Sequence, residues 1–82
     1  MSRYYFNLRY AHLQVPDRRG EECSGPGEAL EHAVVAILGL ITREGRFRNW
    51  AKWSVEIEDE FRSCVAILPF TLILRTHSHR GD

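Results

Sequence analysis

Residues 28–44, EALEHAVVAILGLITRE, decide the fold. At about 100° per residue, Leu30, Val34, Ile37, Leu38 and Ile41 share one arc, and Ala33 and Leu40 widen it. Glu31, His32, Gly39, Thr42 and Arg43 lie opposite, and Val35 stands at the margin. This is an amphipathic helix. Ser24-Gly25-Pro26-Gly27 marks its start, with Ser24 or Gly25 as N-cap and Pro26 in a first turn whose amides have no intrahelical acceptor. Glu28 and Glu31 suit the positive end of the helix dipole, and Gly45 is expected to end the helix in a left-handed conformation. It is the only helix the pattern predicts, so its apolar arc needs a sheet beneath it.

The flanking segments supply that sheet. In Arg3 to Tyr10, Tyr4, Phe6, Leu8 and Tyr10 project one way and Tyr5, Asn7 and Arg9 the other, a strand with its apolar face towards the helix. Ala11-His12 is a weak hairpin turn, because neither residue readily takes positive φ. Leu13 to Pro16 begins a return segment that Pro16 ends, and Glu21 to Cys23 is a short extended piece before the helix. After the helix, Trp53, Val55 and Ile57 alternate with Ser54, Glu56 and Glu58 in a half-buried strand. Ser63 to Leu68 is continuously apolar, which predicts a central strand or one buried on both faces. Phe70 to Leu74 is expected to dock as a further strand or as a turn. The expectation is an α+β fold of order β-β-α-β-β, a mostly antiparallel sheet with one amphipathic helix on one face. Residues 1–75 form the single domain, and 76–82 are expected to be a disordered tail.

Composition excludes several functional classes. Eleven basic and eleven acidic residues give a formal net charge of zero, which argues against bulk attraction to nucleic acid or a membrane surface. The longest apolar run is far shorter than the ~20 residues a bilayer requires, so no membrane partner is expected. Cys23 and Cys64 match no zinc or redox spacing, and both are expected as reduced thiols in a cytoplasm. The four histidines, His12, His32, His77 and His79, are dispersed, so neither a metal site nor a cofactor is expected. There is no glycine-rich phosphate loop after a strand, and the acidic residues fall in turns or on an exposed strand face. No enzyme is expected.

One local feature points to binding. Arg43, Arg46, Arg48, Trp50, Lys52 and Trp53, with Phe47 among them, interleave cations with rings, a pattern that can pair phosphates while rings stack on bases. The same residues also suit a plainer role, with Phe47, Trp50 and Trp53 closing the open end of the core and the cations solvated.

Taken together, Arg3-Tyr4-Tyr5-Phe6-Asn7-Leu8-Arg9, Pro16-Asp17 with Gly20 and Glu22, Val55-Glu56-Ile57 with Asp59-Glu60, and Leu68-Pro69-Phe70 resemble a family of small bacterial domains, Domain of Unknown Function 6894, across residues 3–70. The chain departs from that pattern in three places. Ala11-His12 stands where members carry Asp-Gly, Ser24-Gly25 where they carry Pro-Asp, and Arg62 where the second hairpin has glycine. The departures imply looser or longer hairpins, and the resemblance carries no catalytic or binding residue. The first half is also faintly similar to HicB-type antitoxins, with an aromatic strand, acidic turns and an alanine-bearing helix. The expected function is a non-enzymatic, self-associating interaction module, a homodimer with a further protein partner unknown. The alternative is an antitoxin-like or nucleic-acid-associated regulator using residues 43–53.

Overall fold

The computed structural model describes residues 1–77, and residues 78–82, most of the expected tail, lie outside that description. In chain order the elements are β1 (Ser2–Tyr10), β2 (Leu13–Val15), β3 (Glu21–Cys23), α1 (Pro26–Glu44), β4 (Trp53–Glu58), β5 (Cys64–Pro69) and α2 (Phe70–His77). The architecture is α+β. The sheet is antiparallel, ordered β2-β1-β4-β5, and β3 pairs with the start of β1. Among the described residues, no helix is long and apolar enough to cross a membrane.

The central strand is β1, and its alternation sets the two faces. Tyr5, Asn7 and Arg9 stand opposite Glu58, Glu56 and Ser54 of β4 on the face away from the helices. The other face, with Tyr4, Val55 and Ile57, meets the helices in a core completed by Cys23, Ala29, Ala33, Ile37, Ile41, Trp50, Phe70 and Ile73. On α1 the buried line is Ala29, Ala33, Ile37 and Ile41, each four residues from the last. The stripe is rotated from the expected one: Leu30 is exposed, whereas Val34 and Leu38 pack at its flank. Small alanines in the first two turns give α1 room to pass close over β3. The helix begins without a side-chain cap at Gly25, and Glu28 Oε1 accepts the Ser24 N–H at 2.6 Å. Gly45 ends it at φ 101°, donating to the Ile41 carbonyl at 2.8 Å.

Two expectations are corrected. First, Phe70 to His77 is a second helix, not a strand or turn, and it takes Thr76 and His77 out of the expected tail. Its Phe70, Ile73 and Leu74 repeat at helical spacing and fill the core beside α1. Second, β5 is an outermost strand, not a central one. Ala66 and Leu68 face the helices opposite Ile57 and Val55, while Val65, at a bulge, and Ile67 are exposed. On the outer face, Asn7 is only 1% exposed. The loop between β2 and β3 folds against it.

That loop interrupts the strand returning beside β1. β2 pairs with residues 8–10 and β3 with residues 2–4, leaving the middle of β1 without a backbone partner on this side. Asp17 takes the place of the missing strand. Its Oδ2 accepts the Phe6 N–H at 3.1 Å, and its Oδ1 accepts from Arg19 and Gly20 at 3.0 and 3.1 Å. Its own N–H donates to Asn7 Oδ1 at 2.9 Å. Gly20, at φ +70°, closes the loop where a Cβ would lie 2.8 Å from the Tyr4 carbonyl oxygen. Burial raises the Asp17 pKa, but the three N–H donors and the Arg62 charge outweigh it and hold the carboxyl below its ordinary 3.8.

Both hairpins contain a non-glycine residue in left-handed conformation: Ala11 at φ 54° and Arg62 at φ 65°. The first hairpin is not loosened; Tyr10 and Leu13 still pair across a two-residue turn. In the second, Asp59 Oδ1 accepts from Phe61 and Ser63, and Arg62 N–H donates to the Asp59 carbonyl. The Arg62 guanidinium lies 3.8 Å from the centre of the Tyr5 ring, 3.4 Å from Glu58 Oε1 and 3.4 Å from the Asp17 carbonyl oxygen.

Candidate functional site

The basic and aromatic connection after α1 divides when folded. Trp50 is buried: its ring stacks on Phe70 with centroids 5.1 Å apart, and its Nε1–H donates to the Gly45 carbonyl at 3.1 Å. It closes the core. Trp53 is half-buried between Tyr10 and Trp50, at 4.9 and 5.7 Å. Phe47, expected to help close the core, is instead 96% exposed. Arg48 pairs with Glu44 at 2.9 Å and lies 5.5 Å from the Trp50 ring centre. Arg43, Arg46 and Lys52 are exposed. Of the six expected binding residues, Arg48, Lys52 and Trp53 line one open cleft of about 410 Å³ with Tyr10 and Asn49. Trp50, Arg43 and Arg46 are not among its walls.

A second cluster gives no sign of itself in the spacing. Glu21 and Cys23 lie on β3, and His32 lies on the second turn of α1, which crosses above them. Cys23 Sγ is 3.8 Å from His32 Nδ1, and Glu21 Oε1 is 2.5 Å from the same nitrogen. The three ligand-type atoms all lie within 4.8 Å of one another. Cys23 is fully buried, whereas His32 and Glu21 open onto a groove lined also by Val35 and Ala36. Burial raises the Cys23 thiol pKa, and Glu28, Glu21 and Glu22 raise it further, so Cys23 is a protonated thiol rather than an activated nucleophile. The two cysteines are free, Cys23 in the core and Cys64 exposed on β5. Only the pairing of β3 with β1, which fixes Cys23 beneath α1, reveals the cluster.

The third candidate surface is the free edge of β5. Among the described residues nothing pairs with its outer side. Cys64, Val65, Ala66, Ile67, Leu68 and Pro69 carry no charge, with Val65 39% and Ile67 49% exposed. The opposite edge, β2, is only three residues long and is followed at once by Pro16.

No curated protein and no solved structure matches the chain. Residues 3–71 match the family described as a domain of unknown function (DUF6894), spanning β1 to the first turn of α2 and taking in the Asn7–Asp17 clasp, both hairpins and the β5 edge. The chain belongs to the DUF6894 family.

Proposed function

We propose that the protein is a non-enzymatic, self-associating interaction module of the bacterial cytoplasm, and that a second copy pairs with it through the free edge of β5. The observation that carries this reading is the chemistry of that edge. Exposed edges are ordinarily blunted by charge, shortness or proline. β2 has the last two of these, whereas β5 is six residues long, uncharged, and protected only by a bulge at one end and Pro69 at the other. An edge without charge meets its own two-fold copy without repulsion, which is what an isologous contact requires. Outward Val65 and Ile67 would bury apolar surface in the joined sheet.

The test is native mass spectrometry at low salt, with the 260/280 nm absorbance ratio read on the same sample. A dimer free of nucleic acid is expected, and Ile67→Lys should return it to a monomer, because the introduced cations would face each other across the joined edge. A wild-type monomer at tens of micromolar overturns the reading.

A second reading rests on Phe47, almost fully exposed between Arg46 and Arg48 beside the Arg48–Lys52–Trp53 cleft. In it the protein is a nucleic-acid-associated, antitoxin-like regulator. Replacing Arg46, Arg48 and Lys52 together with glutamine separates the two. Self-association survives under the first reading, and salt-sensitive nucleic-acid binding disappears under the second.

A further inference from the structure

We propose that Cys23, His32 and Glu21 are three ligands of a zinc-class divalent cation, with the fourth position open to the groove beside Val35 and Ala36. The argument begins with His32 Nδ1. Both Glu21 Oε1 and Cys23 Sγ converge on this one nitrogen, at 2.5 and 3.8 Å. A single ring proton serves only one of them well, so hydrogen bonding leaves the set half satisfied. A cation among the three atoms satisfies all of them.

The donor set selects the metal class. Thiolate, imidazole and carboxylate together suit zinc, and three protein ligands with one open position form a recurring zinc arrangement. With Zn–S about 2.3 Å and Zn–N about 2.0 Å, tetrahedral zinc holds sulfur and nitrogen roughly 3.5 Å apart. The Cys23–His32 separation is close to that. The Glu21 carboxylate has to withdraw from Nδ1 by about 1 Å to admit the ion, and its side chain, 56% exposed, is free to do so. Cys23 needs no ordering, since the core already fixes it, and the backbone of β3 is held by its pairing with β1.

The surrounding charge favours a cation. Glu28 lies on the α1 face of His32, one turn earlier, held at the Ser24 N–H. Glu22 follows Glu21 and is paired with Arg3 at 2.9 Å. With Glu21 these carboxylates form a negative field around Cys23. Binding replaces the thiol proton with the ion and that proton passes to solvent, while His32 ligates through Nδ1 as the neutral imidazole with its one ring proton on Nε2. The site lies away from β5 and is independent of self-association through that edge.

The test is titration of the full-length chain, purified without a histidine tag, with Co²⁺ and then Zn²⁺. One Co²⁺ per chain should bind with a thiolate-to-cobalt charge-transfer band, and Zn²⁺ should displace it. His32→Gln and Cys23→Ser should each weaken binding by more than the 10- to 100-fold typical of losing an outer partner. Because Cys23 is buried in the core, where substitution threatens the fold itself, His32→Gln, at a half-exposed position, carries the test, with circular dichroism confirming that it folds. His77→Gln/His79→Gln should bind as the wild type does. Absence of the thiolate band, a band that survives Cys23→Ser, undiminished affinity in His32→Gln, or loss of binding in the His77/His79 variant would each overturn the assignment.

Discussion

The main-chain N–H of Asp17 donates to the side-chain oxygen of Asn7 at 2.9 Å, while the Asp17 carboxylate accepts the amide of Phe6, next to Asn7 in β1. The two residues clasp the loop to the sheet where no strand is present to do so. Asn7 is buried because it has this work, and its amide satisfies a loop donor that would otherwise face the sheet unpaired.

Asp17→Ala should therefore cost about 2–3 kcal/mol, three accepted N–H bonds at roughly 1 kcal/mol each. Urea unfolding measures it. Because the folded pKa lies below the ordinary 3.8, the contribution is fully present above about pH 4 and is lost as pH falls through the depressed value. The stability gap between wild type and Asp17→Asn should shrink in that window and stay constant from pH 5 to 8. A gap that does not change on acidification contradicts the clasp.

Ala11 occupies left-handed backbone at φ 54°, and its methyl group has no polar atom with which to compensate. Ala11→Gly should raise stability by about 1 kcal/mol. Arg62, at φ 65°, has the Tyr5 ring and the Asp17 carbonyl as compensation. Arg62→Ala should cost about 1–2 kcal/mol, and Arg62→Gly should recover about 1 kcal/mol of it, since only glycine relieves the backbone. Thermal unfolding of the three variants would show the order.

The two readings of the aromatic connection separate in stability. Trp50→Ala removes a buried ring stacked on Phe70 and should cost about 3–5 kcal/mol. Phe47→Ala removes a ring 96% exposed and should change stability by less than about 0.5 kcal/mol. Equal effects would mean that Phe47 packs in solution.

The parts of the fold that were legible in the sequence share a physical basis. β1, β4 and α1 each bury one face, so period 2 or period 3.6 is written into their residues. Arg9, on the face its alternation assigns, reaches Glu56 at 3.9 Å. α2 escaped because Phe70-Thr71-Leu72-Ile73-Leu74 is a short, nearly continuous apolar run, which periodicity cannot divide between helix and strand. The unbroken apolarity of β5 is shared by central and outermost strands, and Pro69, whose missing N–H cannot pair, is the better sign of an edge. The burial of Asn7 depends on a loop ten residues away, and no local pattern records it. Among the candidate site residues, Trp50 went to the core and Arg48, Lys52 and Trp53 to one cleft, a division set by where β4 begins. Cys23 and His32, nine residues apart, meet only because β3 joins the sheet beneath α1.

The most direct measurement of the central claim is amide hydrogen exchange, followed peptide by peptide across a hundredfold range of protein concentration. Pairing through β5 predicts that the amides of Val65 to Leu68 gain protection as concentration rises, while those of β2 and of the exposed α1 face around Val35 do not change. Protection in β5 that is independent of concentration, or that grows instead around Val35, would contradict it.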